Sequence, residues 1–187
     1  TTSDPRTGRS PKDVLIKRGT MRLYHYHPRT DDVYRVPILI VMATTNRGYL
    51  FDLTPGNSFV EFLLDKGYDV FLLDWEAPTI AEKTLRIDDY VLDFIPRCMR
   101  RIRQETGEQD VSLIGYCFGG VLSLLYTALH EEDGPKNLVC FTTPINFSKL
   151  ELFHTWSDQR YFDVDRIVEA YGNVPPDMIF SSFEMLR

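Results

Sequence analysis

The sequence has no excess of basic residues: 21 Lys and Arg stand against 27 Asp and Glu, a formal charge of −6. Nucleic-acid binders neutralise phosphates with a basic surface, so nucleic acid is not an expected partner. Long apolar runs are missing as well. The longest, residues 36–43 and 69–75, fall far short of the roughly 20 residues that cross a bilayer, so no membrane span is expected. Paired cysteines are also lacking. Cys98, Cys117 and Cys140 fit neither a disulfide framework nor a CxxC metal site, which points to a reducing cytoplasm, no metal, and at least one thiol available for chemistry. No internal repeat or low-complexity tract occurs, and nothing after Thr1-Thr2-Ser3-Asp4 reads as a signal peptide. With no Met at its head, the true N-terminus is expected to lie upstream.

Apolar residues make up 43% of the 187, which supports one sizeable core and, by default, one domain. Residues 1–19 are polar apart from Val14-Leu15-Ile16 and are expected as a loosely held lead-in. Met21 to His27 alternates as an outer strand would. Val36 to Ala43 is an unbroken apolar run, the pattern of a parallel strand covered on both faces. Asn57 or Ser58 can cap a helix reaching about Lys66, and Gly67 closes it.

Tyr68 to Leu73 reads as the next buried strand. Asp88-Asp89 opens a helix that ends at Gly107, with acidic residues early and Arg97, Arg100, Arg101 and Arg103 late. Residues 111–114, 118–129 and 138–141 continue as strand, helix and strand. Such alternation with short links implies right-handed crossovers and a mostly parallel sheet. After Pro144 the alternation stops. A sheet ending near residue 143 would keep an open edge, an aggregation liability, and the isolated chain is expected to be poorly soluble.

Gly115-Tyr116-Cys117-Phe118-Gly119 falls between a strand and a helix, the required setting of a nucleophile elbow. There the attacking residue occupies a strained turn with no room for neighbouring Cβ atoms. An inert buried thiol at Cys117 would leave Gly115, Gly119 and Gly120 unexplained. The helix that starts after Cys117 favours the thiolate, and the Phe118 N–H is the expected first oxyanion donor. The second donor is expected from the loop 44–48, at Asn46, which is also a plain turn-forming residue. This is the α/β-hydrolase fold class.

Residues 114–120, with 46–53 and Asp69 to Trp75, resemble the polyhydroxyalkanoate synthases, and the short lead-in is similar to the class III or class IV catalytic subunit. The resemblance runs from about Pro11 through Phe147 and, more weakly, through residues 171–176. It implies that Cys117 attacks a 3-hydroxyacyl-coenzyme A thioester, releases coenzyme A and holds the acyl chain; coenzyme A enters as substrate, and no cofactor is implied. It also implies a polyhydroxyalkanoate chain as second substrate, a homodimer or a hetero-oligomer with a second synthase subunit, and a place in the cytoplasm at the surface of polymer granules.

The family's activating His and assisting Asp lie on loops after later strands, beyond the end of this sequence. The expectation is therefore a fragment: lead-in 1–19, core 20–147, and the start of a cap over 148–187. Phe153, Trp156, Tyr161 and Phe162 would line a substrate or dimer surface in that cap, or be ordinary core. His130 sits at the far end of the elbow helix, about 20 Å from Cys117 at about 1.5 Å per residue. His25, His27 and His154 read as surface or packing residues.

Asp74 stands at the strand end where open sheets bind ligands but is read as fixing the loop that follows it. The arginine cluster could attract coenzyme A phosphates but is read as a solvated helix face, and Cys98 and Cys140 are read as packing residues. A depolymerase or thioesterase on the same fold would be expected to carry Ser at the elbow. A non-catalytic remnant is the third reading.

Overall fold

The structure, a computed structural model, describes residues 7–149, 158 and 160–185. Two compact units divide it: the described residues up to Glu76 with Arg86–Pro144, and Ala77–Leu85 with the described residues from Ile145 onward.

The first unit is a six-stranded sheet with helices. Its strands are β1 (Lys12–Arg18), β2 (Met21–Tyr26), β3 (Ile38–Val41), β6 (Val70–Trp75), β7 (Ser112–Tyr116) and β8 (Asn137–Phe141). A small hairpin pairs β4 (Asp52–Thr54) with β5 (Asn57–Ser58). The order is β1-β2-β6-β3-β7-β8, parallel from β6 to β8 and antiparallel at β1 and β2. Every residue of β3 and β6 is buried, as their unbroken apolar runs require.

Two expectations change here. Residues 12–18, taken as loose, form the edge strand β1, and β2 is therefore an inner strand with Met21 and Leu23 fully buried. The cause is long-range. The buried Asp52 carboxylate accepts hydrogen bonds from the Ser10 N–H (3.0 Å), the Ser10 hydroxyl (2.6 Å) and the Ser58 hydroxyl (2.9 Å), and the Gly8 N–H donates to the Asp52 carbonyl at 2.7 Å. Hydrogen bonds to a charged partner contribute about 1.5–3 kcal/mol each, enough to hold a polar segment that buries little apolar surface.

Helix α1 (Phe59–Asp65) starts where expected, with the Ser58 hydroxyl accepting from the Glu61 N–H at 3.0 Å. The helix expected over 88–106 is instead a π-helical stretch, Asp89–Phe94, followed by α2 (Ile95–Thr106). Pro96 lacks an N–H to continue the ladder, and the Ile95 N–H reaches back to the Tyr90 carbonyl. Gly107 ends α2 at φ 72°. Helix α3 (Phe118–Leu129) follows β7 directly.

The second unit holds a turn at Ile80–Glu82 with a Thr79–Glu82 capping box, α4 (Val164–Tyr171) capped by Asp163, and α5 (Pro176–Glu184) with Pro in its first turn. Pro175-Pro176 therefore starts this helix. The Asn173 amide donates to the Pro78 carbonyl at 3.2 Å and ties the two stretches of this unit together. Phe153, His154 and Trp156 lie outside the described residues, and Tyr161 is exposed.

Candidate active site

Cys117 has φ 51° and ψ −121°, one of two non-glycine residues with positive φ among those described. Such a conformation costs on the order of 1–3 kcal/mol and persists only where the surroundings impose it. They do so here. The Cys117 N–H donates to the Phe141 carbonyl at 2.8 Å, and the Cys117 carbonyl accepts from the Gly120 N–H at 2.9 Å.

All three glycines are sterically required. A Cβ on Gly115 would lie 2.4 Å from the Gly120 Cα, one on Gly119 2.2 Å from the Val41 carbonyl oxygen, and one on Gly120 1.9 Å from the Thr143 hydroxyl. The turn is thus wedged between the carboxyl ends of β3 and β8.

Phe118 is the first residue of α3, so its N–H has no acceptor within the helix. Asn46 lies half-buried on the loop leaving β3, the strand beside β7. Its N–H donates to the Ala43 carbonyl at 3.2 Å, closing a turn.

Asp74 organises the same loop. Its Oδ1 accepts from the Gly48 and Trp75 N–H groups, each at 2.9 Å, with the Arg47 guanidinium 3.8 Å from Oδ2. Burial pushes the Asp74 carboxyl above the usual carboxylate range, and the two amide hydrogen bonds pull it partway back. Asp74 is therefore structural, but the loop it holds is the one leaving β3 rather than the one that follows β6.

Alternation along β7 turns Gly115 toward α3 and Tyr116 to the opposite face. There Tyr116 meets Phe51 edge-on at 5.1 Å in a cleft of about 530 Å³, also lined by Phe59, Cys140, Phe141 and Thr142. Cys140 is exposed, not packed as expected, because β8 is the last strand of the sheet and the cleft opens beside it. Cys98 is a packing residue: its Sγ lies 3.9 Å from the Met21 sulfur, and burial pushes its thiol far up.

The structure brings no described histidine to Cys117. His25 hydrogen-bonds Asp69 at 2.7 Å and stacks on Phe71 at the amino end of β6, the end of the sheet opposite the elbow. His27 pairs with Asp13, and His130 hydrogen-bonds the Tyr126 carbonyl at the far end of α3. Of the four arginines of α2, Arg97 pairs with Asp93, Arg101 with Glu105, and Arg103 donates to the carbonyls of Gln109 and Asp133.

Sequence reasoning missed the turn after β8. Thr142 is the second strained residue, at φ 46°. The one available signal was Gly120, a glycine beyond the elbow pattern that calls for a close neighbour.

The comparisons agree with this geometry. The α/β hydrolase fold model matches residues 50–179, and the model for the N-terminus of poly-beta-hydroxybutyrate polymerase (PhaC) matches residues 7–63. The chain belongs to the α/β-hydrolase family.

Within it, the resemblance to polyhydroxyalkanoate synthases extends over the whole chain. The poly(3-hydroxyalkanoate) polymerase subunit PhaC of Haloferax mediterranei is 36% identical over 187 residues, which are 100% of this chain and 38% of that protein. The subunit of Allochromatium vinosum is 37% identical over 184 residues, 97% of this chain and 51% of that protein. The chain thus spans about half, or less, of the length of these relatives.

Among solved structures, the Francisella virulence factor BioJ aligns at TM-score 0.55 and 13% identity, over 75% of this chain and 46% of that one. A Nitrososphaera gargenis carboxylesterase study provides another at TM-score 0.53 and 15% identity, over 87% and 54%. These two show the fold alone.

Proposed function

We propose that the chain is the nucleophile-bearing portion of a polyhydroxyalkanoate synthase, an acyltransferase that polymerises 3-hydroxyacyl groups from coenzyme A thioesters. The observation that carries this reading is the strained Cys117 turn, wedged by three glycines, in a chain whose full length resembles the polymerase subunits.

The Cys117 thiolate attacks the thioester carbonyl carbon, and the oxygen takes the negative charge, facing the Phe118 N–H and a donor from the loop of Asn46. As the tetrahedral species collapses, the carbon–sulfur bond to coenzyme A breaks and coenzyme A leaves as its thiolate. The acyl group stays on Cys117. The hydroxyl of a further 3-hydroxyacyl unit then attacks that acyl carbon, an ester bond forms, and the Cys117 thiolate is released.

Cysteine suits this exchange because a thiolate is both a strong nucleophile and a comparable leaving group. No cofactor enters beyond the coenzyme A that the substrate carries. The groups that take the thiol and hydroxyl protons belong, on this reading, to the portion of the relatives that this chain does not span. A cytoplasmic location at the polymer surface, in a dimer or with a second subunit, belongs to the same reading.

Incubation with 3-hydroxybutyryl-coenzyme A tests it. The expected result is up to one equivalent of coenzyme A released and an acyl group on Cys117 by peptide mass spectrometry, with Cys117→Ala releasing none. Free acid in molar excess over the chain would identify a thioesterase instead. Acylation of the exposed Cys140 as readily as Cys117 would refute the assignment.

A further inference from the structure

The two strained non-glycine residues of the described chain, Cys117 and Thr142, come from different strands and meet at one place. Phe141 O accepts the Cys117 N–H, and the next two residues turn sharply, Thr142 at φ 46° and Thr143 over the start of α3. A β-branched residue with positive φ is a marked outlier, found where the surroundings over-determine it. The Thr143 side chain fills the space above Gly120: its Oγ1, Cγ2 and Cβ are the three nearest atoms to a Cβ built there, at 1.9, 2.8 and 2.9 Å.

We propose that Thr143 is a positioning residue for the Cys117 nucleophile, its side chain seated on Gly120 to hold the first turn of α3 against the end of β8. This rests on the reading of Cys117 as the nucleophile. Thr142 supplies the turn that keeps the Phe141 carbonyl on the Cys117 N–H. That bond directs the Cys117 N–H to β8 and leaves the Phe118 N–H as the donor of the elbow. Loosening Thr143 lets the first turn of α3 drift from the Cys117 sulfur.

The three cysteines make the test self-calibrating. Cys117 is the reporter, Cys140 an exposed reference thiol, and the fully buried Cys98 a monitor of general loosening. Iodoacetamide labelling of the chain is followed for each cysteine by peptide mass spectrometry at pH 7. In the wild type, Cys117 should label faster than Cys140.

Thr143→Gly should slow Cys117 by about threefold or more at pH 7, because a small displacement at a reacting group costs rate. Cys98 should stay protected and Cys140 unchanged. Thr143→Val, which keeps the branched shape, should recover most of the rate. Gly120→Ala should slow Cys117, and the pair Gly120→Ala with Thr143→Gly should label faster than Gly120→Ala alone, since the new methyl then occupies the vacated space.

A Thr143→Gly labelling rate at Cys117 that matches the wild type overturns the inference, as does Cys98 labelling that rises in step with the Cys117 change. If Thr143→Gly does not fold, Thr143→Ser carries the test by removing Cγ2 alone: a slowing of about twofold supports the inference and equality with the wild type overturns it. A wild-type Cys117 no faster than Cys140 removes the proposed function, and the positioning role with it.

Discussion

Gly119→Ala separates two opposite physical expectations. Alanine is the better helix former by about 0.8–1.0 kcal/mol, so propensity alone predicts a more stable chain. Gly119 lies in the first turn of α3, where that gain would normally apply. The added Cβ, however, would sit 2.2 Å from the Val41 carbonyl oxygen, 2.7 Å from that of Met42 and 2.8 Å from the Met42 carbonyl carbon. All three are backbone atoms of β3 or its continuation, so no side chain can rotate away.

Ordinary contact begins near 3.4 Å, so α3 and β3 must part by about 1 Å, in a region where overpacking costs about 1–3 kcal/mol or more. The net expectation is a loss of about 1–2 kcal/mol, read as a urea midpoint lower by about 0.5–1 M at an m-value of about 2 kcal/mol/M. Gly56→Ala is the comparator. It meets nothing within 4 Å but has φ +78°, so it carries conformational strain of about 1–2 kcal/mol and no clash. A displacement of about 1 Å at a reacting group costs on the order of 10²-fold, so Gly119→Ala should also lose nearly all acylation of Cys117 while Gly56→Ala keeps it. A Gly119→Ala chain as stable as the wild type, with Cys117 acylated at the normal rate, would refute the wedged-elbow argument.

Three further outcomes follow from buried polar and thiol groups. Asp74→Asn keeps an acceptor for the Gly48 and Trp75 N–H groups, whereas Asp74→Ala strands both and should cost about 2 kcal/mol or more. Because burial raises the Asp74 carboxyl, the native chain holds that proton to higher pH than the unfolded chain, whose value is about 3.9. The Asp74 contribution to stability therefore falls as pH rises from there through the native value, and urea melts of Asp74→Asn across pH 3–7 should lack that part of the slope. Asp52→Ala should cost about 2–3 kcal/mol by releasing Ser10 and Ser58, with protease cleavage before β1 as the readout. Cys98 should resist alkylation in the native chain and label only at the rate of global unfolding, while the exposed Cys140 labels without unfolding.

The elements that were legible in the sequence are those whose reasons are local. Residues 38–41 and 70–75 read as buried strands because their apolar runs are unbroken, and Ser58, Gly67 and Gly107 marked helix ends by their own chemistry. The elbow was legible because its glycines all fall within residues 115–120. Strand β1 was not, since it depends on Asp52, distant in sequence from Ser10, and a polar segment shows no periodicity that foretells such a partner. Thr142 and Thr143 were illegible for the same reason: two ordinary threonines become notable only once β8 lies beside β7 and Gly120 comes under them.

On the proposed reading of Cys117 as the nucleophile, the strand order limits how its thiol can be activated. Strand β7 is flanked by β3 and β8, all parallel, and the elbow leaves its carboxyl end with carbonyls of Val41, Met42 and Phe141 closing it from both sides. Helix α3 closes it from a third side. A base for the thiol must therefore arrive over the carboxyl edge of the sheet, on a loop that follows a strand, where ligands of open parallel sheets also bind. His25 sits at the other end of β6, and His130 is at the wrong end of α3, each held by its own partner. Moving either by mutation of a neighbour would not help, because the obstacle is the direction of the strands rather than the pairing of the rings.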